Sequence, residues 1–319
     1  MPTPIIIDTD PGIDDALAIM LAAASPEVNI IAINAVAGDV GIEHTLRNAS
    51  ALMDLLKLSC PVGRGASGPL WRRDRNSAAI VHGADGFAGY SLPLSSRTSE
   101  PGIDMMAKAI ITSDAPVTVV GIGPLTNIAL LINEHPDAAR QIKRFVIMGG
   151  GTGNELGNAT ATAEFNMYYD PDAAARVFDF GVPITMVGLN VTHQATVGRH
   201  HLQRLFTSGG PIAHITGHII DSYTNRHLDR TPVMAQHDAL AMAAVIDPAI
   251  LATTLLPVDV ENTGRLTSGM TVVDYRQWDG EGHERRSPNC DVALEVDVDR
   301  FRDLFDDRLA SLDKKIKES

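Results

Sequence analysis

Two cysteines in 319 residues, Cys60 and Cys290, are too few and too far apart for a disulfide framework or a metal knuckle. The expected state is two free thiols in a reducing compartment. Aromatic residues are also scarce, at 5 %, so a platform for stacking unpaired bases is poorly supplied. Basic residues are outnumbered, with 26 Lys plus Arg against 39 Asp plus Glu and a formal charge of −13. That balance argues against a nucleic-acid partner, which requires a basic face. No apolar run approaches the roughly 18 residues needed to cross a bilayer, and the longest, residues 16–24, suits a core helix. The first residues carry neither a basic n-region nor a small-residue cleavage site, so no membrane association and a cytoplasmic location are expected.

Several motifs are missing as well. There is no Gly-Lys-Ser/Thr loop, no His-Glu-x-x-His and no Gly-x-Ser-x-Gly. The string Gly63-Arg64-Gly65-Ala66-Ser67-Gly68 matches a dinucleotide fingerprint in letters only. Pro69 and an arginine-rich stretch follow it, leaving no helix for a pyrophosphate. The basic cluster Arg72-Arg73-Asp74-Arg75 reads as a solvated loop.

What is present is a 45 % hydrophobic chain with 20 % charged residues, enough for a large core. Short apolar runs at 4–7, 28–36, 117–120, 145–148 and 184–187 alternate with helical patterns at 15–24, 43–56, 125–133 and 172–178. Strands apolar on both faces belong in a sheet covered on both sides. The expected architecture is therefore α/β, a single open, mostly parallel, Rossmann-like sheet with helices on both faces. Residues 200–246 read as helical with a break near Pro232, and 299–317 as an amphipathic helix bearing Phe301, Leu304, Phe305, Leu309 and Leu312. Two long Gly-, Ser-, Arg- or Asn-rich stretches, 63–98 and 149–163, have the length of functional loops, and with the helical segment they are expected to supply a mobile lid. No linker or repeat interrupts the chain, so one domain over 1–319 is expected.

The strongest chemical signal is Asp8-Thr9-Asp10-Pro11-Gly12-Ile13-Asp14-Asp15. Four carboxylates fall between an apolar strand and an apolar helix, at the sheet edge where ligands bind in open α/β folds. Helix capping accounts for one or two of them. Four mutually repelling carboxylates require a cation, and with no Cys or His beside them the ion is a hard one, Ca²⁺ or Mg²⁺.

This octapeptide resembles the signature of the inosine-uridine-preferring nucleoside hydrolases. The resemblance continues in His82-Gly83-Ala84-Asp85-Gly86, Gly123-Pro124-Leu125-Thr126-Asn127, Met148-Gly149-Gly150, Ala163-Glu164-Phe165-Asn166 with Asp170-Pro171, and His237-Asp238-Ala239. Six blocks in the family's order, between about residues 5 and 250, make a specific match. It implies a Ca²⁺ site of Asp10, Asp15, Asp238 and the Thr126 backbone carbonyl. It also implies ribose contacts from Asp14, Glu164 and Asn166 with Met148 beneath the sugar. His82 is implied near the base, and His237 as the acid for the leaving base. Where the family commonly has Gly-Asn, this chain has Gly38-Asp39; an ionised Asp only accepts hydrogen bonds, so Asp39 bears on substrate preference. Tyr223 and His227 are further candidates to reach the base, and the remaining histidines, among them His44, His193, His200 and His201, read as structural.

The implied reaction is Ca²⁺-dependent hydrolysis of the N-glycosidic bond of a small-molecule ribonucleoside. Asp10 serves as general base on a metal-held water, and the transition state is oxocarbenium-like. The resemblance further implies a homodimer or homotetramer. Two alternatives stay open at this stage: a metal-dependent phosphatase, because Asp8-x-Asp10 also follows a strand in aspartyl-phosphate enzymes, and a nucleoside- or ribose-binding protein without turnover.

Overall fold

The computed structural model describes residues 1–72, 79–226, 232–276 and 286–318. Thirteen strands are present among them: β1 (Thr3–Thr9), β2 (Val28–Ala35), β3 (Val62–Arg64), β4 (Glu100–Pro101), β5 (Thr118–Gly121), β6 (Arg144–Met148), β7 (Ile184–Val187), β8 (Thr196–Val197), β9 (Met234–Ala235), β10 (Leu251–Leu256), β11 (Val258–Val260), β12 (Thr271–Val273) and β13 (Cys290–Val296). Nine of them form one sheet in the order β10-β13-β7-β6-β5-β1-β2-β3-β4, and β8-β9 and β11-β12 form two small ribbons. Within the large sheet only β10 and β13 pair antiparallel. The expectation of a mostly parallel open sheet holds.

Side-chain alternation along β1 shows why the sheet is covered twice. Ile5 and Ile7 enter one core with helices Ile13–Ala23, His237–Ile246 and Val298–Lys317. Ile6 enters the other with helices Gly102–Thr112, Thr126–Glu134 and Pro171–Phe178. A strand with period two and both faces apolar has no other stable place. The C-terminal helix buries Phe301, Phe305, Leu309 and Leu312 as its pattern requires, with Leu304 partly buried. Its buried Asp313 accepts hydrogen bonds from the N–H groups of Gly210 and Ile212, both at 2.7 Å, holding the start of helix Pro211–Arg226.

Strand order places the switch point beside β1. The chain runs outward through β2, β3 and β4, then returns so that β5 pairs with the other side of β1. Ligands bind at the carboxyl ends of strands at such a point. The register brings these ends level: Asp8 pairs with Asn34 and with Gly121, the Val36 N–H donates to the Thr9 carbonyl, and the Ile122 N–H donates to the Asp8 carbonyl.

Several elements escaped the sequence pattern, namely β3, β4, β10, β13 and helix Gly102–Thr112. The basic cluster at 72–75 needs correction at its first residue. Arg72 is half-buried, its Nε 3.1 Å from Asp172 and its Nη1 3.0 Å from the Ser268 hydroxyl, and it clamps a loop to a helix. Arg73, Asp74 and Arg75 lie outside the described residues, as does His227. No described helix is long and apolar enough to cross a membrane.

Candidate active site

A cavity of about 460 Å³ opens at the carboxyl edge of the sheet. It collects Asp10, Asp14, Asp15, Asp39, His82, Met148, Glu164, Asn166, Tyr223, His237 and Asp238, the described residues expected at the site apart from Thr126. Among the described residues no lysine or arginine lines it.

Its floor is the turn after β1. The Asp10 N–H donates to Asp15 Oδ1 at 3.2 Å and the Gly12 N–H to Asp15 Oδ2 at 2.9 Å, while the Thr9 hydroxyl also donates to Asp15. Asp15 thus closes the loop onto the helix it starts. Asp10 Oδ2 accepts the Asp39 N–H at 2.7 Å, which ties the end of β1 to the turn after β2. Gly12 is required by crowding: a Cβ there would sit 2.2 Å from both Asp39 Oδ2 and His82 Nδ1.

Two triads of carboxylate oxygens lie within 4.8 Å of one another, Asp10-Asp15-Asp39 and Asp14-Asp15-Asp238. Burial raises the pKa values of Asp10, Asp15, Asp39 and Asp238, and neighbouring negative charges add to it. Asp15 rises to about 6, and Asp10, Asp39 and Asp238 are pushed well above the usual carboxylate range. Asp14 Oδ1 is buried without a hydrogen-bond partner. Hard oxygen donors held this close, one of them orphaned, fit a divalent cation, which would restore their ionisation.

Thr126 does not line the cavity. Its buried hydroxyl donates to Asp170 Oδ2 at 2.7 Å, and it opens a helix. Ile122, immediately beyond β5 and four residues earlier, does line the cavity, and its carbonyl accepts an Asn166 amide hydrogen at 3.2 Å. A Cβ on the next residue, Gly123, would lie 2.4 Å from Asp10 Oδ1, so this peptide passes directly against the Asp10 carboxylate.

On the opposite wall Glu164 caps helix Phe165–Tyr169. Its Oε1 accepts the Asn166 N–H at 2.9 Å, and its Oε2 those of Gly150 at 3.0 Å and Met167 at 3.3 Å. Burial nevertheless outweighs these bonds and raises its pKa to about 7. Asn166 spends its amide hydrogens on the Ile122 and Met148 carbonyls, each at 3.2 Å, which leaves its side-chain oxygen for a ligand.

The histidines stand around the mouth. His82 Nδ1 accepts the Ile13 N–H at 3.2 Å, and Asp39 Oδ2 approaches the same nitrogen at 2.8 Å. Both contacts fit if Asp39 carries a proton, as its raised pKa allows. His237 Nδ1 is 2.8 Å from the Thr192 hydroxyl, and burial pushes the nearby Tyr223 phenol up to about 12, so it stays a neutral hydroxyl. The sequence reading missed Ile122, Asn158, Phe165, Thr192 and His193. Asn158 lies in the Gly- and Asn-rich loop flagged by its length, and its side chain accepts the Phe165 N–H at 2.9 Å. His193, read as structural, lines the cavity.

A doubly wound sheet with a carboxylate-walled cavity at its switch point defines an α/β enzyme acting on a small polar substrate. The chain belongs to the inosine-uridine preferring nucleoside hydrolases, whose family model matches residues 5–303. It is 43 % identical to the pyrimidine-specific ribonucleoside hydrolase RihA of Salmonella paratyphi A, over 97 % of this chain and 99 % of that one. The Escherichia coli RihA is 42 % identical over the same shares. A purine-preferring ribonucleoside hydrolase from Gardnerella vaginalis superposes with a TM-score of 0.89 at 30 % identity, covering 98 % and 100 % of the two chains. The protein is a hydrolase of N-glycosyl bonds in ribonucleosides.

Proposed function

We propose that this chain hydrolyses pyrimidine ribonucleosides to free base and ribose with a Ca²⁺ ion held by Asp10, Asp15, Asp238 and the Ile122 carbonyl. The observation that carries the reading is the packing of six buried carboxylates, Asp10, Asp14, Asp15, Asp39, Glu164 and Asp238, into one cavity lined by no lysine or arginine among the described residues. Bound there, the ion would supply Lewis acidity to a water and attract ribose hydroxyls.

The chain's own groups do the rest. Asp10, pinned by the Asp39 N–H, accepts a proton from the attacking water, as general bases within hydrogen-bond reach do. Asp14 Oδ1 and the Asn166 side-chain oxygen accept from the ribose hydroxyls. Positive charge developing on the sugar meets Glu164 and Asp14 in a site sheltered from water, where electrostatic stabilisation is strong. The Thr192 hydroxyl orients His237, which donates the proton the departing base requires. Asp39, its Oδ2 2.8 Å from His82 Nδ1, is the second candidate donor. The base preference rests on the 43 % identity to a pyrimidine-specific hydrolase.

A phosphatase reading loses its footing here, because an acidic wall repels a phosphate dianion and no lysine or arginine among the described residues lines the cavity to cradle it. A panel of uridine, cytidine, inosine, adenosine and guanosine, with p-nitrophenyl phosphate alongside, tests the proposal. Release of uracil and cytosine well ahead of purines is expected. Phosphate release without base release would overturn it.

A further inference from the structure

Resting on that reading, we propose that His193, held by Glu155, is the specificity residue that accepts a hydrogen bond from the N3–H of the uracil base. His193 lines the cavity with its ring 5.6 Å from that of His237, edge-on at 68°. Consecutive residues thus serve one wall: Thr192 bonds His237 Nδ1, and His193 stands beside the same ring. A base departing next to His237 lies within reach of both.

His193 Nδ1 is 2.8 Å from Glu155 Oε2. A carboxylate accepts, so in the neutral ring this contact selects the tautomer with its hydrogen on Nδ1 and leaves the Nε2 lone pair as an acceptor. The side chain is 36 % exposed, so the ring is set at the cavity rim and not locked in the core. Glu155 sits in the loop that also carries Asn158, bridged to Thr152 across a tight turn. The pair therefore fixes both the tautomer of His193 and the approach of that loop. A single acceptor at this place rewards a base that presents an N–H and gives nothing to a leaving group without one.

The test compares kcat/KM on uridine, N3-methyluridine and p-nitrophenyl β-D-ribofuranoside for the Ca²⁺-loaded wild type, His193→Ala, His193→Gln and Glu155→Ala. His193→Ala is expected to lose about tenfold on uridine, the worth of one hydrogen bond. It should stay within about twofold on the p-nitrophenyl riboside and no longer distinguish uridine from its N3-methyl form. His193→Gln, whose amide oxygen accepts, should recover part of the loss, and Glu155→Ala should fall between it and His193→Ala. Equal losses on all three substrates, or none on uridine, would overturn the assignment. A failure of the hydrolase reading shows separately, as a wild type that releases no base at all. Melting temperatures of both His193 variants separate a folding defect from a lost contact.

Discussion

Replacing Glu164 by Gln should change stability in a pH-dependent way whose size follows from burial. Glu164 is buried against three backbone N–H groups, and its pKa is raised from 4.5 to about 7, chiefly by desolvation. A group raised in the folded state contributes stability that is fully present below its unfolded pKa and is lost as pH rises through the folded one. The displacement corresponds to roughly 3 kcal/mol in total, of which about 2 kcal/mol develops between pH 5.5 and 8.5. Gln does not titrate. Its amide group, facing the Gly150 or Met167 N–H, imposes a penalty that is the same at every pH. Urea unfolding of chelated wild type and Glu164→Gln across that range should therefore show the variant gaining on the wild type by about 2 kcal/mol as pH rises. A difference that stays constant, or that shrinks with rising pH, would refute the assignment of Glu164 as a carboxyl held partly neutral by burial.

Three further outcomes follow from the same geometry. Asp10→Asn should keep its fold and much of its substrate affinity but lose about 10²–10⁴-fold in kcat, because an amide takes no proton from water; steady-state rates within a few-fold of wild type would place the base elsewhere. Gly123→Ala puts a Cβ 2.4 Å from Asp10 Oδ1, and displacement of that carboxylate should lower kcat about 10²-fold or more and weaken metal retention, measured by metal analysis after dialysis. His237→Ala should fall steeply on uridine and be nearly silent on p-nitrophenyl riboside, whose leaving group needs no proton; equal losses would make His237 an orienting residue and direct attention to Asp39.

The parts of the fold legible in the sequence are those where burial on both sides forces continuous apolar runs. β1, β2, β5, β6 and β7 fall close to their expected positions for that reason. The antiparallel edge is different. β10 exposes four of its six residues, so Ala252, Thr253, Thr254 and Leu255 carry no core pattern. β3 and β4 have three and two residues, too short for any periodicity. At the site, clustered carboxylates were readable because their chemistry is local to one octapeptide and repeated at Asp238. Ile122, proposed to act through its carbonyl, was not, since a carbonyl leaves no side-chain signature and the Gly-Pro block beside it offers several. His193 was passed over because its meaning depends on Glu155, 38 residues away along the chain.

The most direct test of the central claim is to strip the protein with chelator and titrate Ca²⁺ back while measuring bound ion and uracil released from uridine in the same samples. Negligible activity is expected in the stripped protein, with recovery in step with occupancy and saturation at one ion per chain. Full turnover in samples shown to hold no divalent cation would contradict that claim.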